Sequence, residues 1–282
     1  MRLANIPVAQ WAIIGGSSTN SISFPRDLPW PGLEIIAEDL VFATPWGSSP
    51  PFTYFQLGEK KVLTCRMHGW RRGVSRADAS RQVFWVLREA GVHTVLAEGG
   101  VGSVNHLLRP ADVVIPNDYI DQSMRKDVEL DGRYLLVMRQ ALCPELRRLL
   151  VQAAEKYAAG RVFDRSIYAC TDGRHFESPA EVQFLKLAGA DVIGQSICPE
   201  VYLAREIGAC YARVDLVVNY AEGIIKDWEH EELKELFYGQ SQRIGAILLE
   251  ALAAAPAARE CGCADLRKPT LLKEMQGEEK DV

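Results

Sequence analysis

The sequence predicts an α/β fold in a single domain, and three observations carry that prediction. Short apolar runs end on glycine or polar residues and are followed by segments with helical periodicity, the alternation of strands with crossover helices. The 282 residues are 48% apolar, enough for one sizeable core. No internal repeat and no clear linker divides the chain. Residues 1–255 are therefore taken as one domain and residues 256–282 as a charged tail, expected to be mobile.

Composition narrows the function classes. A net charge of −5 argues against non-specific binding of nucleic acid. The longest apolar run near the start, residues 8–14, is interrupted by Gln10, is far too short to span a bilayer and lacks a signal-peptide layout. Seven cysteines, an odd number scattered mostly through apolar segments, fit reduced buried thiols better than a disulfide framework, so a cytoplasmic protein with no membrane partner is expected. The five histidines are dispersed and Cys261-Gly262-Cys263 lacks zinc-ligand spacing, so no metal is expected.

In chain order, residues 11–14 read as a buried strand that runs into Gly15-Gly16-Ser17-Ser18-Thr19. Glycines after a strand let backbone amides approach a phosphate, and hydroxyls add donors; an ordinary polar turn has the same composition. The third glycine of a dinucleotide fingerprint is missing. Residues 21–51 are rich in Pro, Ser and Gly and read as loop, with a short strand at 33–36. Residues 52–57 and 61–65 form a hairpin around Gly58-Glu59. Arg66 and His68 follow, two apart, and on an extended chain they point the same way. They are either a pair of anion ligands, the guanidinium forking onto phosphate oxygens, or a surface arginine beside a half-buried histidine.

Residues 78–90 form a helix with Val83, Val86 and Leu87 on one face, ended by Gly91. A strand at 92–97 runs into a glycine-rich turn, Glu98-Gly99-Gly100-Val101-Gly102-Ser103. Residues 144–159 are an amphipathic helix, 166–170 a strand, and Ser178-Pro179-Ala180-Glu181 a helix start with proline at N1 and glutamate at N3. A long last helix spans about 228–254.

The stretch 190–223 organises the rest. Val192 and Ile193 form a short strand that stops at Gly194-Gln195-Ser196. Pro199 opens a helix with Glu200 in its first turn, where the dipole favours an anion. Residues 214–218 are a second buried strand, ending on Asn219. The carboxyl ends of parallel strands face the ligand crevice of an open α/β sheet, so Gln195, Ser196 and Asn219 are offered to one site.

The run GADVIGQSICPEVYLAREIGACYA resembles the signature of the nucleoside phosphorylase family, in the branch of methylthioadenosine phosphorylase and trimeric purine nucleoside phosphorylase, and the resemblance extends from about residue 13 to about residue 232. It implies a central mixed, partly barrel-like twisted sheet flanked by helices, and phosphorolysis of purine nucleosides to free base and ribose-1-phosphate or its 5-methylthio analogue. Inorganic phosphate is then the co-substrate, with no other cofactor. Ser17 matches the family's phosphate loop, Arg66-Met67-His68 its phosphate ligands, Gly100 a position beside phosphate and ribose, and Ser196 a further phosphate contact. Phe176 matches the aromatic residue that packs on the purine; Gln195 stands where the family has Met under the ribose. Ser18, Glu98-Gly99 and His175 are departures. Asn219 and His68 are the implied catalytic groups. Asn219, with Ala221 in place of a second aspartate, favours 6-oxopurines such as inosine, guanosine or methylthioinosine, because an amide accepts from a protonated N7 and donates to a 6-oxo group. A homotrimer or homohexamer is implied. Methylthioadenosine phosphorylase, a nucleoside hydrolase and a non-catalytic nucleoside-binding homologue are the alternatives.

Overall fold

The structure is a computed structural model that describes residues 5–272. Its elements run β1 (Trp11–Ile14), β2 (Leu33–Leu40), β3 (Ala43–Thr44), β4 (Gly47–Ser48), β5 (Phe52–Leu57), β6 (Lys60–Cys65), α1 (Arg76–Glu89), β7 (Thr94–Ser103), β8 (Val113–Val114), β9 (Asp118–Asp121) and β10 (Tyr134–Leu136). They continue with α2 (Pro144–Tyr157), β11 (Val162–Phe163), β12 (Ile167–Cys170), α3 (Pro179–Leu187), β13 (Val192–Gly194), α4 (Ile197–Glu206), β14 (Cys210–Tyr220), α5 (His230–Ala254) and β15 (Arg267–Pro269).

One mixed sheet of eleven strands dominates, in the order β11-β8-β14-β7-β1-β6-β5-β2, and the far end of β7 leaves this row to pair antiparallel with β13, which leads to β12 and β9. Helices cover both faces, so the central strands β1, β7 and β14 are buried along nearly their whole length. In β1 the period-2 alternation divides the core: Ala12 and Ile14 join α1 and α4 residues such as Phe84, Leu87 and Leu203, while Trp11 and Ile13 join Leu146 and Leu150 of α2 and Leu248 of α5. The helix start at Ser178 is a full capping box, with Ser178 and Glu181 satisfying each other's backbone amides.

Three expectations are overturned. Residues 98–103 are not a turn: β7 runs unbroken to Ser103. Its glycines serve close packing inside a strand; a Cβ on Gly99 would lie 2.6 Å from Arg213 Nη2, and one on Gly100 would lie 2.7 Å from the Phe237 ring. The chain after β6 is not extended. Met67 and His68 have φ of 49° and 55°, and this left-handed pair turns the backbone so that Arg66 and His68 point to different places. Finally, residues 256–272 pack onto the domain. Strand β15 pairs antiparallel with β10, Cys263 is buried, and Arg205 Nη1 donates to the Cys263 carbonyl at 2.7 Å. The rest of the expected tail, 273–282, lies outside the described residues.

Strand β14 carries an ion pair through the middle of this core. Arg213 and Asp215 lie two apart, hence on one face, and both are fully buried. Arg213 Nε and Nη2 both donate to Asp215, the latter at 2.6 Å, and the guanidinium lies 4.8 Å from the Tyr168 ring centroid. Removing one partner of such a pair strands a charge without water. Asp215→Asn is therefore expected to cost about 3–5 kcal/mol, whereas replacing both residues with apolar side chains of similar size costs much less. Thermal unfolding of the two variants checks this. Equal losses would refute the account.

Candidate active site

A cavity of 320 Å³ opens where β1, β6, β7, β12, β13 and β14 end or turn, the place at which an open α/β sheet presents its ligand crevice. Ser17, His68, Gly100, Phe176, Gln195, Ser196, Asn219 and Ala221 line it. Arg66 does not. Its guanidinium is exposed and donates to the backbone carbonyls of Asn20 and Ile22 at 2.9 and 2.7 Å, a consequence of the left-handed turn that follows it.

The glycine loop after β1 differs in detail from the sequence reading. Its amides at Gly16, Ser18 and Thr19 do not face the cavity; they donate to the buried Glu98 carboxylate, those of Ser18 and Thr19 at 3.1 Å, and the Thr19 hydroxyl adds a bond at 2.7 Å. The Ser18 hydroxyl turns inward to the Gly99 carbonyl. Glu98 thus acts as an internal anion that organises the loop and leaves Ser17 as the residue projecting into the cavity. The Gly100 amide is also taken by the protein: it donates to Ser17 Oγ at 3.0 Å. Across the cavity, Ser196 Oγ accepts from Arg213 Nη2 at 3.0 Å. Both serine oxygens therefore receive a protein donor and keep their own proton to give.

His68 is buried and its Nδ1 is 2.7 Å from Glu200 Oε1. Glu200 also accepts from the Tyr211 hydroxyl at 2.8 Å, and burial pushes that phenol well above its ordinary range, so it stays a donor. The carboxylate fixes the imidazole with Nδ1–H donating to it, leaving Nε2 at the Gly16 side of the cavity, where an added Cβ would lie 2.6 Å away. Glu200 was read from the sequence only as a first-turn acid; its partner in space is a histidine 132 residues away.

The base-binding candidates sit at the other end. A bulge in β14 between Val217 and Asn219 sets Asn219 beside Gly102 of β7. Asn219 is buried and its Nδ2 donates to the Tyr220 carbonyl at 2.8 Å, so a flipped amide would set oxygen against oxygen. Phe176 stands half exposed at the mouth, edge-on to Trp228 at 4.9 Å. Gln195 lines the cavity and also ties down the 171–177 loop: its Oε1 accepts from Arg76 Nη1 at 3.3 Å and its Nε2 donates to the His175 carbonyl at 3.2 Å.

Several lining or supporting groups escaped the sequence reading. Arg76, whose guanidinium lies 3.9 Å from the Trp70 ring centroid, precedes the helix read at 78–90, and Phe237 belongs to α5, read as a structural helix. Arg213 and Asp215 left a legible signal, two charges at i and i+2 inside an apolar run. Glu98 stood out only as a departure from the family pattern; its partners lie about eighty residues away.

The phosphorylase superfamily family model matches residues 26–253. A 6-oxopurine nucleoside phosphorylase of Pyrococcus furiosus is 34% identical over 269 residues, covering 91% of this chain and 97% of that protein. An S-methyl-5'-thioadenosine phosphorylase of the same organism is 30% identical over 261 residues, covering 91% and 96%. Among solved structures, a methylthioadenosine phosphorylase from Schistosoma mansoni in complex with adenine superposes with a TM-score of 0.76 at 23% identity, over 91% of this chain and 95% of that one, a likeness of fold. With its strand-end cavity and the match over most of its length, the chain belongs to the phosphorylase superfamily, as an enzyme of its purine nucleoside phosphorylase branch.

Proposed function

We propose that this chain catalyses phosphorolysis of purine nucleosides with a preference for 6-oxopurines, giving the free base and ribose-1-phosphate or its 5-methylthio analogue. The observation that carries the anion half of this reading is the pair of serine hydroxyls. Ser17 and Ser196 each accept from a protein donor and hold a proton toward the cavity, which suits phosphate oxygens. His68, oriented by Glu200, supplies a third group at the same end. The glycosidic bond breaks through an oxocarbenium-like state, so holding phosphate under the sugar and neutralising charge on the leaving purine are what lower the barrier. Asn219 meets the second need: Oδ1 accepts from a protonated N7, and the Nδ2 hydrogen not given to Tyr220 serves a 6-oxo group. Phe176 packs on the base. Inorganic phosphate is the co-substrate, and none of these steps calls on another cofactor.

Hydrolysis, with water in place of phosphate, is the second reading, and Glu98 favours it, because three loop amides that the sequence reading had offered to phosphate are already engaged by that carboxylate. Purine release from inosine separates the two: it is expected to rise with phosphate and to cease in phosphate-free buffer, and an equal rate without phosphate selects hydrolysis.

We also propose an assembly of three or six chains in the cytoplasm. No helix among the described residues is long and apolar enough to cross a membrane. Leu107, Met124, Phe184 and Leu187 leave apolar surface for a neighbouring chain. A monomer by light scattering at micromolar concentration would remove the assembly.

Two substitutions test the site. Ser196→Ala deletes a charge-assisted donor worth about 1.5–3 kcal/mol, so the KM for phosphate is expected to rise about tenfold to a hundredfold with the nucleoside KM little changed. Steady-state kinetics in both substrates show whether the loss falls on phosphate; a rise in the nucleoside KM alone would move Ser196 out of the anion site. Asn219→Asp is expected to shift the kcat/KM ratio of inosine to adenosine toward adenosine by about tenfold or more. A wild type that already prefers adenine nucleosides, or a variant that loses both activities equally, contradicts the assignment of Asn219.

A further inference from the structure

Outside the cavity, the fold gathers four cysteines that the sequence keeps far apart. Cys143 precedes α2, Cys210 opens β14, and Cys261 and Cys263 lie in the segment after α5. Their four sulfurs all lie within 4.8 Å of one another, with Cys210 and Cys261 at 3.2 Å. Cys261-Gly262-Cys263 supplies two ligands; the other two come from the core, through backbone bonds that place them. The Cys143 amide donates to the Tyr211 carbonyl at 2.8 Å and the Cys210 amide to the His93 carbonyl at 2.9 Å.

The geometry points to a structural zinc(II) site formed by Cys143, Cys210, Cys261 and Cys263, which ties the C-terminal segment to the core. Zinc–sulfur bonds of about 2.3 Å in a tetrahedron set the sulfurs about 3.8 Å apart, inside the 4.8 Å that bounds the four sulfurs here. Four thiolates around one zinc leave two negative charges, and Arg259 is placed to offset them: its Nη1 lies 3.9 Å from Cys210 Sγ and is held by the Gly208 carbonyl at 2.8 Å. Cys143, Cys210 and Cys263 are buried, while Cys261 is partly exposed and gives the ion a way in. Zinc binding would displace the thiol protons as four Zn–S bonds form, with no oxidant required. The site lies apart from the groups assigned to phosphorolysis.

The test is the metal content of full-length protein purified without oxygen or chelator and incubated with zinc chloride. About one zinc per chain is expected by elemental analysis. Cobalt(II) in its place should give the intense visible absorption of a tetrahedral thiolate site. Cys261→Ser/Cys263→Ser should lose the metal and the cobalt spectrum, expose residues 256–272 to limited proteolysis, and keep purine release within about twofold of wild type, since these residues touch no group of the cavity. Chains free of zinc after this treatment, or carrying disulfides among the four cysteines by mass spectrometry, would overturn the proposal. So would a double variant that keeps its full metal content.

Discussion

The parallel pairing of β7 with β14 is the constraint on which the rest of the structure depends. Ten residues of β7 lie against β14, and the same strand also binds β1 on its other side and β13 at its far end. It is thus the junction of the two parts of the sheet, and every polar group of the cavity is placed relative to it. Its glycines make this possible. A strand with side chains at 99 and 100 would push away Arg213 and Phe237, and with them the wall of the cavity.

Charge in this core is handled in pairs and cradles. Arg213 is neutralised by Asp215 and spends its remaining donor capacity on Ser196 and the Tyr211 hydroxyl. Glu200 is shared by His68 and Tyr211. Glu98 rests on backbone amides and a hydroxyl. Each ionised group was removed from water at a cost of several kcal/mol, which only such saturated surroundings offset. The arrangement also does chemical work, because a hydroxyl whose oxygen is occupied by a guanidinium or an amide has its proton left for a ligand.

The departures from the family pattern share one physical meaning. Glu98 stabilises the loop from behind rather than meeting the ligand, and Gln195 clamps the 171–177 loop to Arg76 rather than lying free under a sugar. These two departures are supports for the walls of the cavity. The phosphorylase branch is retained over most of the chain, and Glu98 and Gln195 buttress loops beside the cavity.

The sequence by itself determined the helices, most of the longer strands, the single domain, the family and eight of the cavity residues, from Ser17 to Ala221. These are local facts: apolar runs, turn glycines and strand ends depend on neighbours a few residues away. Only the tertiary structure decided what depends on distant partners or on backbone twist. It turned Arg66 away through the left-handed residues 67 and 68, made residues 98–103 a strand, gave the loop amides to Glu98, set Glu200 against His68, and brought Cys143 and Cys210 to the Cys261-Gly262-Cys263 segment. In each case the deciding energy is a hydrogen bond, an ion pair or a packing contact between residues that the chain separates, and no window along the sequence contains both halves of it.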